Sequence, residues 1–464
     1  MIKKVLLFSL PLFLFAKTVS FQEVLELTLA NNKELQAKEL DVKKQEQNIK
    51  IVQGYNQGKL EFSENISRTN NAGYVFGMKM ASREAQMSDF GFTTANFATM
   101  SSMITAGQEI GGIKPNNLNK PDARNNFETK IVYEVPLFTG YKLENAKAMA
   151  QLQAMALKAK FNHDKKRIGI EVLKAYNGAV TAKRFIKLME DAKIITNRFT
   201  QISQDMYNDK LTRIIDVKQA KMAGFNIDTK IKEAKTEFSL AISYLQFLTS
   251  DYSIDDVQDF ETINIDIANL KLLQANAIKN RDDYAWMKYN TATMKKKIVY
   301  DSSSKYPTIG AYIEYGMNDD TFATSLQQDY YLGAIGLTYT LFDGSISKLN
   351  EQKSKIDYAK TKKYFEYMKE GISLEVKKNF LDYITKLNTL KDKQELSTMA
   401  SNILVETKNI YKNNLKFRTN MMYLLMGLEN MLKAQANVIT SQYELTLSAG
   451  LLQVAIGKSL RKEK

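Results

Sequence analysis

The sequence predicts an exported, mainly α-helical protein with amphipathic β-strands of membrane-spanning length. Three observations support this fold class. Residues 141–207 contain no proline and form one helical pattern, the first residues have the features of a secretory signal, and the pattern of the first half returns in the second. At 1.5 Å per residue the long helix would extend about 100 Å, far beyond an ordinary globular helix. We therefore expect a duplicated arrangement of helix, β-hairpin, very long helix and shorter helix.

The composition restricts the chemistry that the chain can perform. None of its 464 residues is a cysteine, and His163 is its one histidine. Disulfides, thiolate nucleophiles, Cys-ligated metals and histidine clusters are therefore excluded. An exported hydrolase would need paired carboxylates, and none stands in a suitable context. We expect no enzyme activity, no cofactor and no metal site.

The amino terminus predicts export. Lys3 and Lys4 precede a mostly apolar segment, Val5 to Ala16. That segment is too short to cross a bilayer but fits a signal peptide cleaved near Ala16. The formal net charge of +14 would suit nucleic acid or an anionic membrane surface. Because export argues against nucleic acid, we interpret most lysines as solvated helix faces.

The long helix has the apolar spacing of a coiled-coil seam. Its seam residues step by four and three along the chain: Ile168, Val172, Ala175, Ala179, Ala182, Ile186 and Met189. The seam continues through Asn177-Gly178, so we predict no turn at that dipeptide. An isolated coiled coil would show the same seam, and this stretch alone leaves that alternative open.

The remaining elements follow from periodicity and turn signals. In the first half we predict a helix over 21–57, a strand over 59–69, a long irregular insertion over 70–126, a strand over 127–137, a break at 208–210 and a second helix over 213–248. Residues 251–266 are acidic but lack the spacing of a calcium loop. We predict them to be a surface linker.

The second half repeats short segments of the first. Leu137-Phe138-Thr139-Gly140 corresponds to Leu341-Phe342-Asp343-Gly344, and Tyr207 corresponds to Tyr411 at the same offset. The predicted parts are a signal peptide (1–16), a first repeat (17–250, with its hairpin at about 59–138 and its long helix at about 141–207), a linker (251–266) and a second repeat (267–464, with its hairpin at about 306–342 and its long helix at about 345–413). A shorter helix is predicted over 419–454.

The strands of the second half alternate clearly. Residues 308–317 and 331–341 each place apolar side chains at every second position, with tyrosines near their ends. Tilted strands that cross a bilayer need about 9–11 residues and often carry such aromatic girdles. A soluble hairpin half-buried on a core is the alternative. Four strands are too few to close a barrel, so the pattern indicates a symmetric homo-oligomer.

Together these segments resemble the TolC-like outer-membrane efflux proteins, also called outer membrane factors. The resemblance covers nearly the whole mature chain. It depends on the duplicated Leu-Phe-x-Gly motif (137–140 and 341–344), on Tyr-Pro-Thr-Ile at the start of a strand (306–309), and on the turns after Tyr207 and Tyr411. The insertion at 70–126 departs from the family pattern.

The resemblance implies a homotrimer in the outer membrane of a Gram-negative bacterium. Three chains would share a 12-stranded transmembrane β-barrel, continued into the periplasm by an α-helical tunnel. The implied partners are a periplasmic adaptor (membrane fusion) protein, an inner-membrane transporter and outer-membrane lipid, with no nucleic acid. By position, the adaptor would contact Leu211, Thr212, Leu415 and Lys416. The periplasmic gate would contain Asp216, Asn420 and Tyr423.

The function implied is a passive exit channel of a tripartite efflux or type I secretion system. A periplasmic structural coiled-coil protein or adhesin without a pore is the alternative. The second repeat has Asn420 and Tyr423 where known family members have acidic residues, so an acidic ring at the gate is in doubt. We therefore expect hydrogen bonds and packing to hold the closed tip, with Asp216 paired to a basic neighbour. The insertion at 70–126 is expected at the outer surface or over the barrel mouth.

Overall fold

The computed structural model describes residues 17–265, 269–322, 326–413 and 421–462, so the predicted signal peptide lies outside it. Its helices are α1 (Phe21–Asn31), α2 (Lys33–Gly54), α3 (Ala72–Ala81), α4 (Thr94–Thr105), α5 (Asn116–Asn119), α6 (Lys142–Asn208), α7 (Ile214–Thr249), α8 (Leu270–Asn280), α9 (Asp282–Asp301), α10 (Ile346–Asn413) and α11 (Met421–Ala455). Its strands are β1 (Lys17–Val19), β2 (Lys59–Thr69), β3 (Arg124–Phe138), β4 (Ile254–Val257), β5 (Thr308–Asp319) and β6 (Asp329–Thr338). The chain is mainly helical. Across the described ranges, no helix combines the length and the apolar content that crossing a bilayer requires.

The chain divides into two compact units. A helical unit comprises Met1–Gln45, Gln153–Thr291 and Lys360–Lys464, and a sheet unit comprises Glu46–Leu152 and Ala292–Ala359. The long helices α6 and α10 each begin in the sheet unit and continue into the helical unit.

The helical unit is held together by apolar seams. Most predicted seam residues of α6 are buried, with Val172 and Ala179 at 0% exposure. The helix continues through Asn177-Gly178, as predicted. Near the carboxyl end of α6, residues from α7, α10 and α11 pack with it in an apolar core that contains Phe199, Leu404 and Leu424. The predicted seam is therefore the packing surface of a helical bundle.

Two predictions for the helical unit were incomplete. The helix expected over 21–57 is divided at Asn32, whose side chain caps α2 by accepting a hydrogen bond from Leu35 N (3.1 Å) and donates one to Leu248 O (3.0 Å). The linker at 251–266 contains β4, which pairs in parallel with β1. Ile254 and Val257 are fully buried, and two apolar residues among acids were too short a signal to predict a strand.

The sheet unit contains one antiparallel sheet in the order β2-β3-β5-β6. The strand predicted over 59–69 is observed at Lys59–Thr69, and the other three differ from prediction only at their ends. Pro136 lies at an irregularity where the register of β3 against β5 shifts. Proline lacks the N–H that a regular ladder needs, which accounts for the shift at this position. Within the described residues, the outer edges of β2 and β6 have no partner strand.

The insertion is more regular than predicted. It contains α3, α4 and α5, where we expected irregular structure throughout. Asn71 caps α3 by accepting from Gly73 N and Tyr74 N, and Thr93 caps α4 by accepting from Asn96 N. These polar caps replace the missing carbonyl partners of the first helical turn. The glycine-rich composition of the segment concealed these three short helices.

Candidate functional site

The sheet has one apolar face. Side chains of directly paired residues in antiparallel strands project from the same side, and the register aligns Phe62 with Ile131, Tyr315 and Tyr331. The apolar face comprises Leu60, Phe62, Ile66, Phe127, Ile131, Tyr133, Val135, Ile309, Ala311, Ile313, Tyr315, Met317, Tyr331, Ile335 and Leu337. Much of it is uncovered, with Ile335 75% exposed. Glu64 also lies on this face and accepts a hydrogen bond from Thr129 Oγ1.

The opposite face is polar and carries a connected network. It includes Lys59, Glu61, Ser63, Asn65, Ser67, Asn126, Glu128, Lys130, Glu134, Tyr312, Glu314, Asn318 and Tyr330. Tyr330 and Tyr312 donate hydrogen bonds to the Glu314 carboxylate, the first at 2.7 Å, and Lys130 Nζ lies 3.8 Å from it. A Cβ on Gly316 would lie 2.7 Å from the Tyr330 ring. Glycine there leaves room for the ring that reaches Glu314.

The turn between β3 and α6 explains the duplicated Leu-Phe-x-Gly motif. Gly140 and Tyr141 both adopt left-handed backbone angles, with φ of 61° and 67°, and so do Gly344 and Ser345 at the equivalent turn. A Cβ on Gly140 would lie 2.4 Å from Ser303 O. Tyr141 makes edge-to-face contacts with Phe138 and Tyr306. The two motifs behind the family resemblance therefore meet at this turn.

The turn after Tyr207, one of the two turns on which the family resemblance depends, ends α6 with a Schellman motif. We call it the first tip turn. Leu211 N donates to Met206 O at 2.8 Å and Lys210 N donates to Tyr207 O at 3.0 Å. Lys210 holds the left-handed position, with φ of 60°, that glycine usually occupies. The turn exposes the apolar side chains of Leu211, Ile214 and Ile215.

Asp216 is buried beside this turn. Its Oδ2 accepts from Thr212 Oγ1 (2.9 Å) and from Arg213 N (3.2 Å), and Arg213 Nε lies 3.6 Å from it. Asp216 is 3% exposed, and its Oδ1 has no hydrogen-bond partner among the described residues. The carboxylate therefore caps the first turn of α7 and pairs with a basic neighbour.

Tyr411, near the carboxyl end of α10, is also buried. It is 4% exposed and belongs to the apolar core that contains Phe199 and Leu424. Burial, reinforced by the charge of Asp216, raises the pKa of its hydroxyl, against the effect of the Ser203 and Thr212 hydroxyls.

The predicted tip residues lie in different environments. Leu211 and Tyr423 are exposed, Thr212 is half-buried, and Asp216 is buried. Leu415, Lys416 and Asn420 lie outside the described residues. The sequence prediction did not include Ile214, Ile215 and Tyr411 in the site. The match of Tyr207 to Tyr411 was the available signal for Tyr411, but a repeat match does not show which side chain is buried.

One acidic group could suggest a cation site. The carboxylates of Glu84, Asp319 and Asp320 lie within 4.8 Å of one another. Arg124 pairs with Glu84 and lies 3.6 Å from Asp320. The guanidinium of Arg124 therefore offsets part of the negative charge of these carboxylates, as a bound cation would.

Comparison of the whole chain with known proteins identifies the fold. No protein-family model and no curated protein sequence matches the chain. Solved structures match with TM-scores of 0.76 for CusC and 0.74 for the Campylobacter jejuni CmeC outer membrane channel. The Neisseria gonorrhoeae MtrE outer membrane channel, in its open state, matches with 0.72. The chain has the fold of the TolC-like outer-membrane channels.

The TolC-like fold extends over nearly the full length of each chain compared. The matches cover 96% of this chain and 94% of CusC, 96% and 87% for CmeC, and 95% and 89% for MtrE. Sequence identities are 12% to CusC and 13% to the other two. At this identity the likeness establishes the fold, and function must be argued from the surfaces described above.

Proposed function

We propose that the protein is an outer-membrane exit channel of a Gram-negative bacterium, serving a tripartite efflux or type I secretion system. It would be exported through cleavage of residues 1–16 and would act as a passive duct without catalysis. Two structural repeats, 17–250 and 267–464, joined by the linker 251–266, would supply two strands each to a barrel shared among copies.

The observation that carries this proposal is the uncovered apolar face of the sheet. A soluble protein would cover side chains such as Ile335 and Leu337 with a second layer, because large exposed apolar patches mark interaction or membrane surfaces. Here the opposite face holds most of the charges of the strand interiors, with Glu64 as an exception. Apolar-out and polar-in alternation is the pattern of a membrane barrel around an aqueous lumen.

The two open sheet edges support assembly of several copies. Unpaired N–H and C=O groups are not tolerated at a lipid-exposed edge, so β2 must pair with the β6 of another copy. Three copies of four strands would give the 12-stranded barrel implied by the family resemblance. We therefore propose a homotrimer.

The tip supports a role in docking and gating. Leu211, Ile214 and Ile215 offer an exposed apolar patch at a helix turn, and Thr212 in the same turn donates a hydrogen bond to Asp216. We propose that this patch, together with Leu415 and Lys416, contacts a periplasmic adaptor that is linked to an inner-membrane transporter. Asp216, Asn420 and Tyr423 would form the gate, with Asp216 acting through the cap of α7.

Assembly and conductance test the proposal together. The protein purified from membranes in detergent should have the mass of a trimer and should conduct ions in a planar bilayer. Ile335→Lys places a charge on the apolar face, and Leu332→Lys places it on the opposite face of the same strand. A lysine on a lipid face costs about 2–4 kcal/mol at the bilayer midplane. We expect Ile335→Lys to reduce membrane assembly strongly and Leu332→Lys to leave it nearly intact.

A stable monomer without conductance would contradict the proposal. It would favour the second candidate, a periplasmic coiled-coil protein or adhesin, which would also fractionate away from the outer membrane. Equal tolerance of lysine at positions 332 and 335 would show that the apolar face does not meet lipid.

A further inference from the structure

Within the described residues, the ring contact of the helix α4 is that of Phe97 with Phe92, which lies just before the helix (centroids 6.1 Å apart). None of its 12 residues is buried. Phe97 and Ile104 are 53% and 61% exposed, and with Met100 they form an apolar stripe at helical spacing. Helices of this length are marginal in water without tertiary packing. In the described protomer the stripe therefore stays largely exposed to solvent.

The surface of α4 is suited to burial. No charged residue occurs between Asp89 and Glu109, although 25% of the chain is charged. Three of its five hydroxyls are bonded within the helix: Thr99 donates to Ala95 O (3.0 Å), Ser102 to Thr99 O (2.9 Å) and Thr105 to Ser101 O (2.8 Å). Such internal bonding lowers the cost of removing these side chains from water.

The position of the insertion indicates which surface α4 meets. The insertion begins directly after β2, the edge strand that would pair with a neighbouring copy. It is fixed to the turn end of the other hairpin, where Arg83 donates to Gln327 O (3.3 Å) and Arg124 lies 3.6 Å from Asp320. An interfacial helix on anionic lipid would carry Lys and Arg on its polar face, and α4 has neither.

We propose that the α4 helices of neighbouring copies pack on one another around the symmetry axis and form an uncharged constriction at the outer mouth of the barrel. Identical surfaces that meet at a symmetry axis repel when charged, and α4 avoids this because it is neutral. The inference rests on the proposed trimeric channel. It adds the residues that would narrow the mouth: Phe97, Met100 and Ile104.

Cysteine pairing tests this arrangement, because the chain has no native cysteine. Ser101 lies four residues after Phe97 and three before Ile104, so it shares their face of the helix. Ser102 points to the opposite side and is the matched control with the same substitution. In full-length channels in outer membranes, mild oxidation should link Ser101→Cys chains into a dimer-sized band that reduction abolishes. Ser102→Cys chains should give little or none.

A second measurement, single-channel conductance, tests whether the α4 helices narrow the pore. Oxidised Ser101→Cys channels should keep the low conductance of the unmodified channel. Ile104→Lys should raise single-channel conductance severalfold, because three like charges separate the helices. If assembled, conducting channels show no Ser101→Cys link, or link equally at both positions, the inference is wrong and the proposed channel stands. If the unmodified chain neither assembles nor conducts, the proposed function fails and the inference fails with it.

Discussion

Gly140 and Tyr141 hold a left-handed pair of backbone conformations at the point where a strand becomes a very long helix. For residues other than glycine this conformation costs roughly 1–2 kcal/mol. Tyr141 tolerates it because its ring packs against Phe138 and Tyr306. The repeat of Leu-Phe-x-Gly could be read from the sequence, but the left-handed pair and its aromatic support could not, because they depend on contacts distant in the chain.

Gly140 and Gly344 should therefore differ in their tolerance of alanine. Both substitutions force a Cβ into a left-handed position and should cost about 1 kcal/mol. Gly140→Ala should cost clearly more, because its Cβ would lie 2.4 Å from Ser303 O, whereas nothing in the described protomer crowds Gly344. The dissociation temperature of the detergent-purified protein in a gel-shift series measures the difference. Equal temperatures for the two variants would show that the Ser303 contact relaxes at little cost.

Asp216, which we propose as a gate residue, has its hydrogen bonds to Thr212 and Arg213 defined by the structure. Asp216→Ala removes the cap of α7, a loss of about 1 kcal/mol, and should increase spontaneous opening in single-channel recordings. Asp209→Ala removes the same charge from an exposed position in the same turn and serves as the control. If both variants open equally, the charge at the tip matters and the cap does not.

At the scale of elements, long periodic segments were predictable and short ones were not. The helices α6 and α10 and the four strands of the sheet have enough residues for the apolar period to show. The strands β1 and β4 and the helices of the insertion are shorter. The helices α3 and α4 depend on the polar caps Asn71 and Thr93. The two strands depend on pairing with each other across a long stretch of chain. The two faces of the sheet also required the observed register, since a one-residue slip reverses every side chain.

The polar face of the sheet should make the channel prefer cations, although the whole chain is basic. On that face the four acids Glu61, Glu128, Glu134 and Glu314 outnumber the three bases Lys59, Arg124 and Lys130, and rings of carboxylates attract cations. Reversal potentials in a potassium chloride gradient measure the preference. Glu61→Gln should reduce it, and Glu64→Gln, on the apolar face of the same strand, should leave it unchanged. An anion preference in the unmodified channel would contradict the assignment of this face to the lumen.

At the scale of the molecule, the TolC-like fold was predictable because many weak signals agree in order and spacing. The environments of the tip residues were harder to predict from the sequence. Leu211 is exposed, as a docking residue would need to be, but the burial of both Asp216 and Tyr411 depends on packing between distant segments. No periodicity in a single segment reveals such packing.

The orientation of the molecule can be tested on intact cells. The exposed segment 106–114 of the insertion should be cut by a broad-specificity protease added outside, because we place it at the outer surface. The helices α7 and α11 should be cut only after the outer membrane is opened. Cutting of α7 in intact cells, with 106–114 protected, would reverse the orientation.

The two unpaired edges of the sheet have a genetic consequence. A chain that folds and reaches the membrane but has its β6 edge blocked would still offer a normal β2 edge to its neighbours and would enter mixed rings. Such an allele should be dominant over the intact gene, with the share of fully intact rings falling as the cube of the share of intact chains. An allele that prevents folding should instead be recessive, since its product never joins a ring.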